Sequence, residues 1–151
     1  MMNNTIYVDR NLKNADILNR DLPNLRNFIE DNFSNDHYYK LKYAVQFFEK
    51  DIRAMYQEIV NCANIFYVNV PWMDEYMRFV KSQKPLQKDI QTIMKFLNEK
   101  LGDEKLPDEE RIFLGIVKSE MNIIDARVKM LKEFVYVERA TDYDIPTEAR
   151  N

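Results

Sequence analysis

The chain has 151 residues, of which 46% are hydrophobic and 31% are charged, and its formal net charge is −3. This length suits one domain with one core, and the hydrophobic fraction excludes a disordered chain. Acidic and basic residues are mixed throughout, so nucleic acid is not expected as the main partner, because binding phosphates requires a basic excess.

The composition favours helices. Only two glycines and five prolines occur, and tight hairpins depend on glycine for positive φ angles. The sequence lacks the roughly 18 consecutive apolar residues of a membrane span, and its first ten residues do not resemble a signal peptide. The single cysteine, Cys62, fits a reducing compartment as a small buried residue. We therefore expect a cytoplasmic protein, or a virion protein if a phage encodes it.

Residues 1–10 form the first predicted element. Ile6, Tyr7 and Val8 have high β-propensity and lie between polar neighbours, which is typical of a short extended segment. A frayed terminus is the alternative, because an isolated strand is unstable without a sheet edge. We predict an extended arm that lies on another surface, with these three residues as partner-binding candidates.

The next stretch, residues 11–33, has an imperfect helical pattern that Pro23 interrupts. Because proline is tolerated in the first turn of a helix, we predict a short helix to about Asn19 and a second helix from about Leu22 to Asn32. The short connection that follows predicts that the next helix is an antiparallel neighbour.

Residues Ser34 to Tyr67 carry the longest uninterrupted helical pattern. Apolar residues recur at steps of three and four, which places them on one face of a helix of about 45–50 Å. These residues are Tyr38, Leu41, Val45, Phe48, Ile52, Met55, Ile59, Cys62 and Phe66. Tyr39, Tyr43 and Tyr67 lie off this stripe, and we predict that they are exposed contact residues, because tyrosine is enriched in protein interfaces.

A third helical stripe begins after Pro71 and ends before Gly102, which is a natural C-terminal cap. Pro85 lies inside this stripe, so we expect a kink or a break near residues 82–84. Gln83 is the obvious polar residue on the stripe, and its position predicts that it lies in the core.

The fourth predicted helix begins at Pro107, which three acidic residues follow. The acids face the positive end of the helix dipole, so this is a strong helix start. An apolar stripe runs from Leu114 to Val135, and a second row beside it predicts contact with two neighbouring helices. This second row is Ile116, Ile123, Met130, Phe134 and Val137. Gly115 is a candidate for a close helix crossing.

Residues 141–151 have no helical period and include Pro146. We predict an extended C-terminal tail, with Tyr143 and Ile145 as anchors on a partner. Disorder is the alternative for a terminal segment without its partner.

The sequence contains no pattern for a catalytic, metal or cofactor site. The one histidine, His37, cannot supply the paired Glu-x-x-His motifs of a di-metal bundle, and about seven helical turns separate it from Cys62. Two glycines cannot form a phosphate-binding loop. Acid pairs such as Asp103-Glu104 occur at helix starts or loops, where dipole capping explains them. We therefore predict no catalytic residues, metal or cofactor.

These patterns predict an all-α, mostly antiparallel bundle of about four helices, with a long central helix and extended arms. The predicted parts are an arm over residues 1–10, a bundle over 11–140 and a tail over 141–151. The leading hypothesis is a non-enzymatic structural or adaptor subunit of a larger protein assembly, whose partners are copies of itself or other subunits. Phage head-tail connector and ring proteins fit by analogy of fold. The alternative is a small acidic inhibitor or regulator that binds a single host protein, whereas an enzyme would need a polar pocket inside the bundle.

Overall fold

Four α-helices make up most of the chain. A computed structural model describes residues 2–33, 36–68 and 73–144, with side chains over residues 11–33, 37–61 and 77–131. The helices are α1 (Met2–Asn32), α2 (Tyr39–Val68), α3 (Met73–Leu101) and α4 (Asp108–Asp144), and a 3-10 helix at Asp36–Tyr38 precedes α2. The described ranges contain no strand. The predicted all-α bundle of about four helices is confirmed.

Each helix of the bundle packs against two others. Helix α2 packs against α1 and α3, and α4 packs against the same two helices. Over the described residues, α2 and α4 therefore lie at opposite corners of the bundle. Helices that follow one another along the chain are antiparallel neighbours, because each connection between them is short.

One apolar stripe from each helix fills the space between the helices. Residues that recur every 3.6 positions lie on the side of a helix that faces the bundle axis. The buried members are Ala15, Leu18, Leu22, Leu25 and Ile29 in α1, Leu41, Val45, Phe48, Ile52, Met55 and Ile59 in α2, Phe79, Leu86, Ile90, Ile93 and Leu97 in α3, and Leu114, Val117, Met121, Ile124, Val128 and Leu131 in α4. The stripes predicted for α2, α3 and α4 are thus confirmed wherever side chains are described.

Two prolines lie inside helices instead of dividing them. Pro23 is within α1 and Pro85 is within α3, so the predicted division of residues 11–33 into two helices is wrong, and no break occurs near Pro85. A proline inside a helix removes one backbone hydrogen bond. Leu22 and Leu25, on either side of Pro23, are nevertheless both buried. Burial on both sides of the proline outweighs the lost bond and keeps the helix continuous.

Both ends of the chain are more helical than predicted. Residues 2–10 belong to α1, so the extended arm predicted over residues 1–10 is wrong for this stretch. A short segment of high β-propensity has no sheet edge to join here, whereas extending a helix adds one hydrogen bond per residue. Helix α4 continues through Asp144, so residues 141–144 of the predicted extended tail are helical too. The rest of that tail, residues 145–151, lies outside the described residues.

The long helices also differ from prediction in their lengths. Helix α2 begins at Tyr39, after the 3-10 helix, and not at Ser34. It has 30 residues, whereas α4 has 37 and is the longest of the four described helices. The longest uninterrupted pattern therefore does not give the longest helix. Residues 136–144 contain no proline or glycine to end α4, so that helix continues.

The two glycines have different roles. Gly102 follows the last residue of α3, as predicted, and its N–H donates to the Asn98 carbonyl oxygen at 3.0 Å. Gly115 does not mark a close helix crossing, so that prediction is wrong. A Cβ atom added at Gly115 would meet no neighbouring atom of the described residues within 4 Å. The space beside Gly115 is open.

Gln83 occupies a core position, as its place on the α3 stripe predicts. The residue is 8% exposed, and no described acceptor binds its Nε2. A buried donor without an acceptor costs about 1–3 kcal/mol, so we expect Gln83→Leu to raise the free energy of unfolding by about 1–2 kcal/mol. Urea unfolding measures this change, with the exposed Gln91→Leu as the matched control, which should stay within about 0.5 kcal/mol. A loss of stability on Gln83→Leu would show that the core needs the amide.

Candidate interaction surface

Three aromatic side chains lie on the outer face of α2. Tyr39, Tyr43 and Phe47 follow one another at steps of four residues, so they share one side of the helix. They are between 53% and 60% exposed. The rings of Tyr39 and Tyr43 meet edge to face, with their centroids 6.3 Å apart. We call these three residues the aromatic surface. It lies opposite the buried stripe of α2, so the core does not account for it.

Positive charges flank the aromatic surface. Lys40 lies beside Tyr43 on the helix, and Lys50 lies one turn beyond Phe47. Both lysines are exposed. A partner that covers the three aromatic rings therefore also meets two ammonium groups.

Helix α4 carries a second exposed apolar row. Ile112, Ile116, Ile123 and Met130 lie within about 40° of one another around the helix, and they are between 42% and 63% exposed. We call these four residues the α4 surface. Three of them belong to the row that was predicted to contact a second helix, and this prediction is wrong for them within the described chain. The other two members of that row lie beyond the described side chains.

Negative charges flank the α4 surface. Asp108 and Glu109 lie in the first turn of α4, where the positive end of the helix dipole stabilises their negative charges. Glu120 lies one turn from Ile116 and from Ile123. All three acids are exposed. Arg127, a half-buried basic residue, also lies on this face. The exposed charges that flank the two apolar surfaces are of opposite sign.

A buried tyrosine holds the start of α2 in place. The Tyr38 hydroxyl donates to Glu110 Oε2 at 2.9 Å, and its ring packs against Phe33 and Phe96, with centroids 4.5 and 6.1 Å away. Burial, and after it the hydrogen bond to Glu110, raises the pKa of Tyr38, so the hydroxyl keeps its proton and acts as a donor. Because Tyr39 is the next residue, this contact orients the first ring of the aromatic surface.

Arg111 holds the connection between α3 and α4. Its Nη1 donates to the Leu101 carbonyl oxygen and its Nη2 donates to the Asp103 carbonyl oxygen, both at 2.8 Å. The last carbonyls of a helix have no partner within that helix, so the guanidinium satisfies groups that would otherwise need water. Arg111 thereby holds the first turn of α4, where the α4 surface begins.

A groove of about 310 Å³ lies between α1 and α2. One wall is Glu49, whose buried carboxylate accepts from Arg26 Nε at 2.8 Å and from Arg53 Nη1 at 3.2 Å. The rest of the lining is Asn19, Leu22, Arg53, Tyr56 and Gln57. Because Glu49 is paired with Arg26 of α1 and Arg53 of α2, this network suits a structural contact between the two helices better than a ligand site.

No known family model, curated protein or solved structure matches this chain. Within the described helices, no stretch is long and apolar enough to cross a membrane. Among the side chains that the structure describes, no three His, Cys, Asp or Glu residues are grouped to hold a metal ion.

Two of the predicted partner-binding residues have described side chains. Tyr39 and Tyr43 are exposed, as predicted, and their role in binding stays a prediction. Phe47 was not predicted, although its four-residue step from Tyr43 was a signal for the same face. The remaining predicted residues have side chains outside the described ranges, and they are Ile6, Tyr7 and Val8 of α1, Tyr67 of α2, Tyr143 of α4, and Ile145, whose backbone is not described either.

An acidic pair joins α2 and α3. Asp89 of α3 is half-buried beside Asp51 of α2. A hydrogen bond between two carboxyl groups requires a proton on one of them. Burial raises the pKa of Asp89 to about 7, together with this hydrogen bond and the negative charge of Asp51, while nearby Lys88 acts in the opposite direction. The two residues are far apart in the sequence, so no motif predicted this pair.

The acidic pair makes stability depend on pH. The pKa of Asp89 in the folded chain lies above its ordinary value of 3.8. The contribution of the protonated Asp89 carboxyl to the free energy of unfolding is therefore complete below about pH 4 and is lost as the pH rises through about 7. The amide of an Asp89→Asn variant donates to Asp51 without titrating. We expect this variant to be more stable than the native chain by only about 1–2 kcal/mol at pH 8, because solvent screens part of the repulsion between the two half-buried carboxylates, and about equally stable at pH 4.

Urea unfolding across this pH range measures the difference between the two chains. Glu120→Gln, which removes an exposed carboxylate from α4, is the control, and its pH profile should follow that of the native chain. Parallel profiles for Asp89→Asn and the native chain would show that the pair does not share a proton.

Proposed function

We propose that this chain is a non-enzymatic structural or adaptor subunit of a larger protein assembly, and that it binds a protein partner through the aromatic surface. The observation that carries the proposal is the exposure of Tyr39, Tyr43 and Phe47 in one row on α2. Aromatic side chains are enriched in protein interfaces, and an exposed apolar patch is a liability for a soluble monomer that does not use it.

The core packing on the other side of α2 favours binding to the aromatic surface without rearrangement of the helix backbone. Leu41, Val45 and Phe48 are fully buried on the opposite side of the same helix turns, so the backbone of α2 is held by the core. A partner that binds a rigid helix face does not have to order that backbone, which lowers the entropic cost of association.

A virion component of a phage, such as a head-tail connector or ring protein, is one assembly subunit of this kind, by analogy of fold. The location would then be the virion, and otherwise the cytoplasm. The alternative function is a small acidic inhibitor or regulator that binds a single host protein. Such a protein would use the same aromatic surface but would remain a monomer in solution.

Light scattering after size exclusion, at several protein concentrations, tests this proposal. We expect the native chain to form a defined oligomer, and we expect Phe47→Glu to reduce its mass to that of a monomer. Gln91→Glu adds the same charge at an exposed position of α3 and should keep the oligomer. A native chain that is monomeric at every concentration contradicts the structural subunit and favours the inhibitor or regulator.

A further inference from the structure

We infer that the aromatic surface of one copy docks on the α4 surface of a second copy of this chain. The inference rests on the proposed function and names the partner. Helices α2 and α4 lie at opposite corners of the bundle, so both surfaces of one molecule are free to bind at the same time. A contact between two unlike surfaces is heterologous, and it builds a ring when the rotation closes and a filament when it does not.

Charge favours this unlike pairing over the pairing of like surfaces. The aromatic surface is flanked by exposed Lys40 and Lys50. The α4 surface is flanked by exposed Asp108, Glu109 and Glu120. Two aromatic surfaces would bring lysines against lysines. Two α4 surfaces would bring acids together. Even if the two α4 helices pair antiparallel and are centred on the exposed row, the two copies of Glu120 lie close to each other. Pairing the unlike surfaces brings the exposed lysines against the exposed acids.

The shape of α4 also suits aromatic rings. Gly115 and Ser119 lie among Ile112, Ile116 and Ile123 on the outer side of the helix. A Cβ atom added at Gly115 would meet no neighbouring atom of the described residues within 4 Å. Small residues between large ones leave depressions on a helix face, and large side chains of a second helix pack into such depressions. Tyrosine and phenylalanine rings on α2 are side chains of that kind.

The experiment uses one disrupting variant for each surface. Phe47→Glu places a negative charge in the aromatic surface, and Ile123→Glu places one in the α4 surface. Both residues are exposed, so we expect both variants to fold, which thermal melting followed by circular dichroism checks. By light scattering, each variant alone should be a monomer, with self-association weakened about tenfold or more. Gln91→Glu is the charge-matched control for both and should associate like the native chain.

Mixing the two variants gives the deciding result. In an equimolar mixture we expect a heterodimer of twice the monomer mass and nothing larger, because each variant keeps the surface that the other has lost. Native association should also weaken as sodium chloride is added, since exposed charges are screened. Association that does not respond to salt contradicts the charge pairing.

Failure of the inference and failure of the proposed function give different outcomes. A mixture that stays monomeric while the native chain assembles shows that the two surfaces do not bind each other. If Ile123→Glu alone still associates and Phe47→Glu does not, aromatic surfaces pair with one another; the inference then fails and the structural subunit stands. A native chain that is monomeric at every concentration overturns both.

Discussion

Replacing Phe48 with alanine is expected to lower the free energy of unfolding by about 3–5 kcal/mol. The Phe48 ring is fully buried, and it lies on the α2 stripe between Val45 and Ile52, which are fully buried too. Truncation removes apolar contacts from the core and leaves a cavity that close-packed neighbours fill only in part. Because domains of this size are stable by only about 5–15 kcal/mol, this one change removes a large fraction of the total.

Phe47→Ala is the matched control, because the two phenylalanines are adjacent in the sequence and differ in burial. Phe47 is on the exposed aromatic surface, so its replacement should change the free energy of unfolding by no more than about 0.5 kcal/mol. Its effect is expected on self-association instead. Urea unfolding and light scattering of both variants should give a crossed result, with stability lost in Phe48→Ala and association lost in Phe47→Ala. Equal losses of stability would contradict the orientation of α2.

Replacing Arg26 with alanine is expected to cost about 2–3 kcal/mol of stability, because it leaves a buried carboxylate short of one cationic partner. The side chain of Glu49 is 8% exposed, and it accepts from Arg26 Nε at 2.8 Å and from Arg53 Nη1 at 3.2 Å. Losing one partner of a buried ion pair costs about 3–5 kcal/mol when no other partner remains. Arg53 remains here, so the expected cost is smaller.

Two further variants separate the cost of leaving a buried charge unpaired from the net contribution of the ion pair to stability. The double variant Arg26→Met, Glu49→Leu removes both charges and should be close to the native chain in stability, because apolar replacements of similar size avoid the cost of burying charge. Arg20→Ala is the control, since the Arg20 side chain is 70% exposed and lies 3.8 Å from Asp21; its cost should stay below about 0.5 kcal/mol. If Arg26→Ala costs no more than Arg20→Ala in urea unfolding, this ion pair does not hold α1 against α2.

Most of the buried residues could be predicted from the sequence, because burial on a helix repeats every 3.6 residues and that repeat is local. Leu41, Val45 and Phe48 show this for α2, and Tyr39 and Tyr43 show the reverse, since their positions off the stripe predicted exposure. The division of the first helix at Pro23 and the extended N-terminal arm were predicted wrongly. In both cases a local preference was outweighed, by core packing around Pro23 and by helix extension at the N-terminus.

The contacts between helices could not be predicted in the same way. The Arg26–Glu49 ion pair joins α1 and α2, and the Asp51–Asp89 pair joins α2 and α3. Such pairs depend on how far each helix is rotated and shifted along its neighbour, and no spacing within one helix records that offset. The same limit applies to Arg111, whose two carbonyl acceptors lie across the connection to α3.

The order of apolar and polar residues along the chain is enough to predict that the chain is helical and which side of each main helix is buried, because both are local properties. Which outer faces remain free depends on how the four helices pack against one another. The second apolar row of α4 was expected to contact a neighbouring helix, yet Ile116, Ile123 and Met130 are exposed. The packing order of the bundle leaves α2 and α4 at opposite corners, each with an apolar row facing outward, and that order is a property of four helices together.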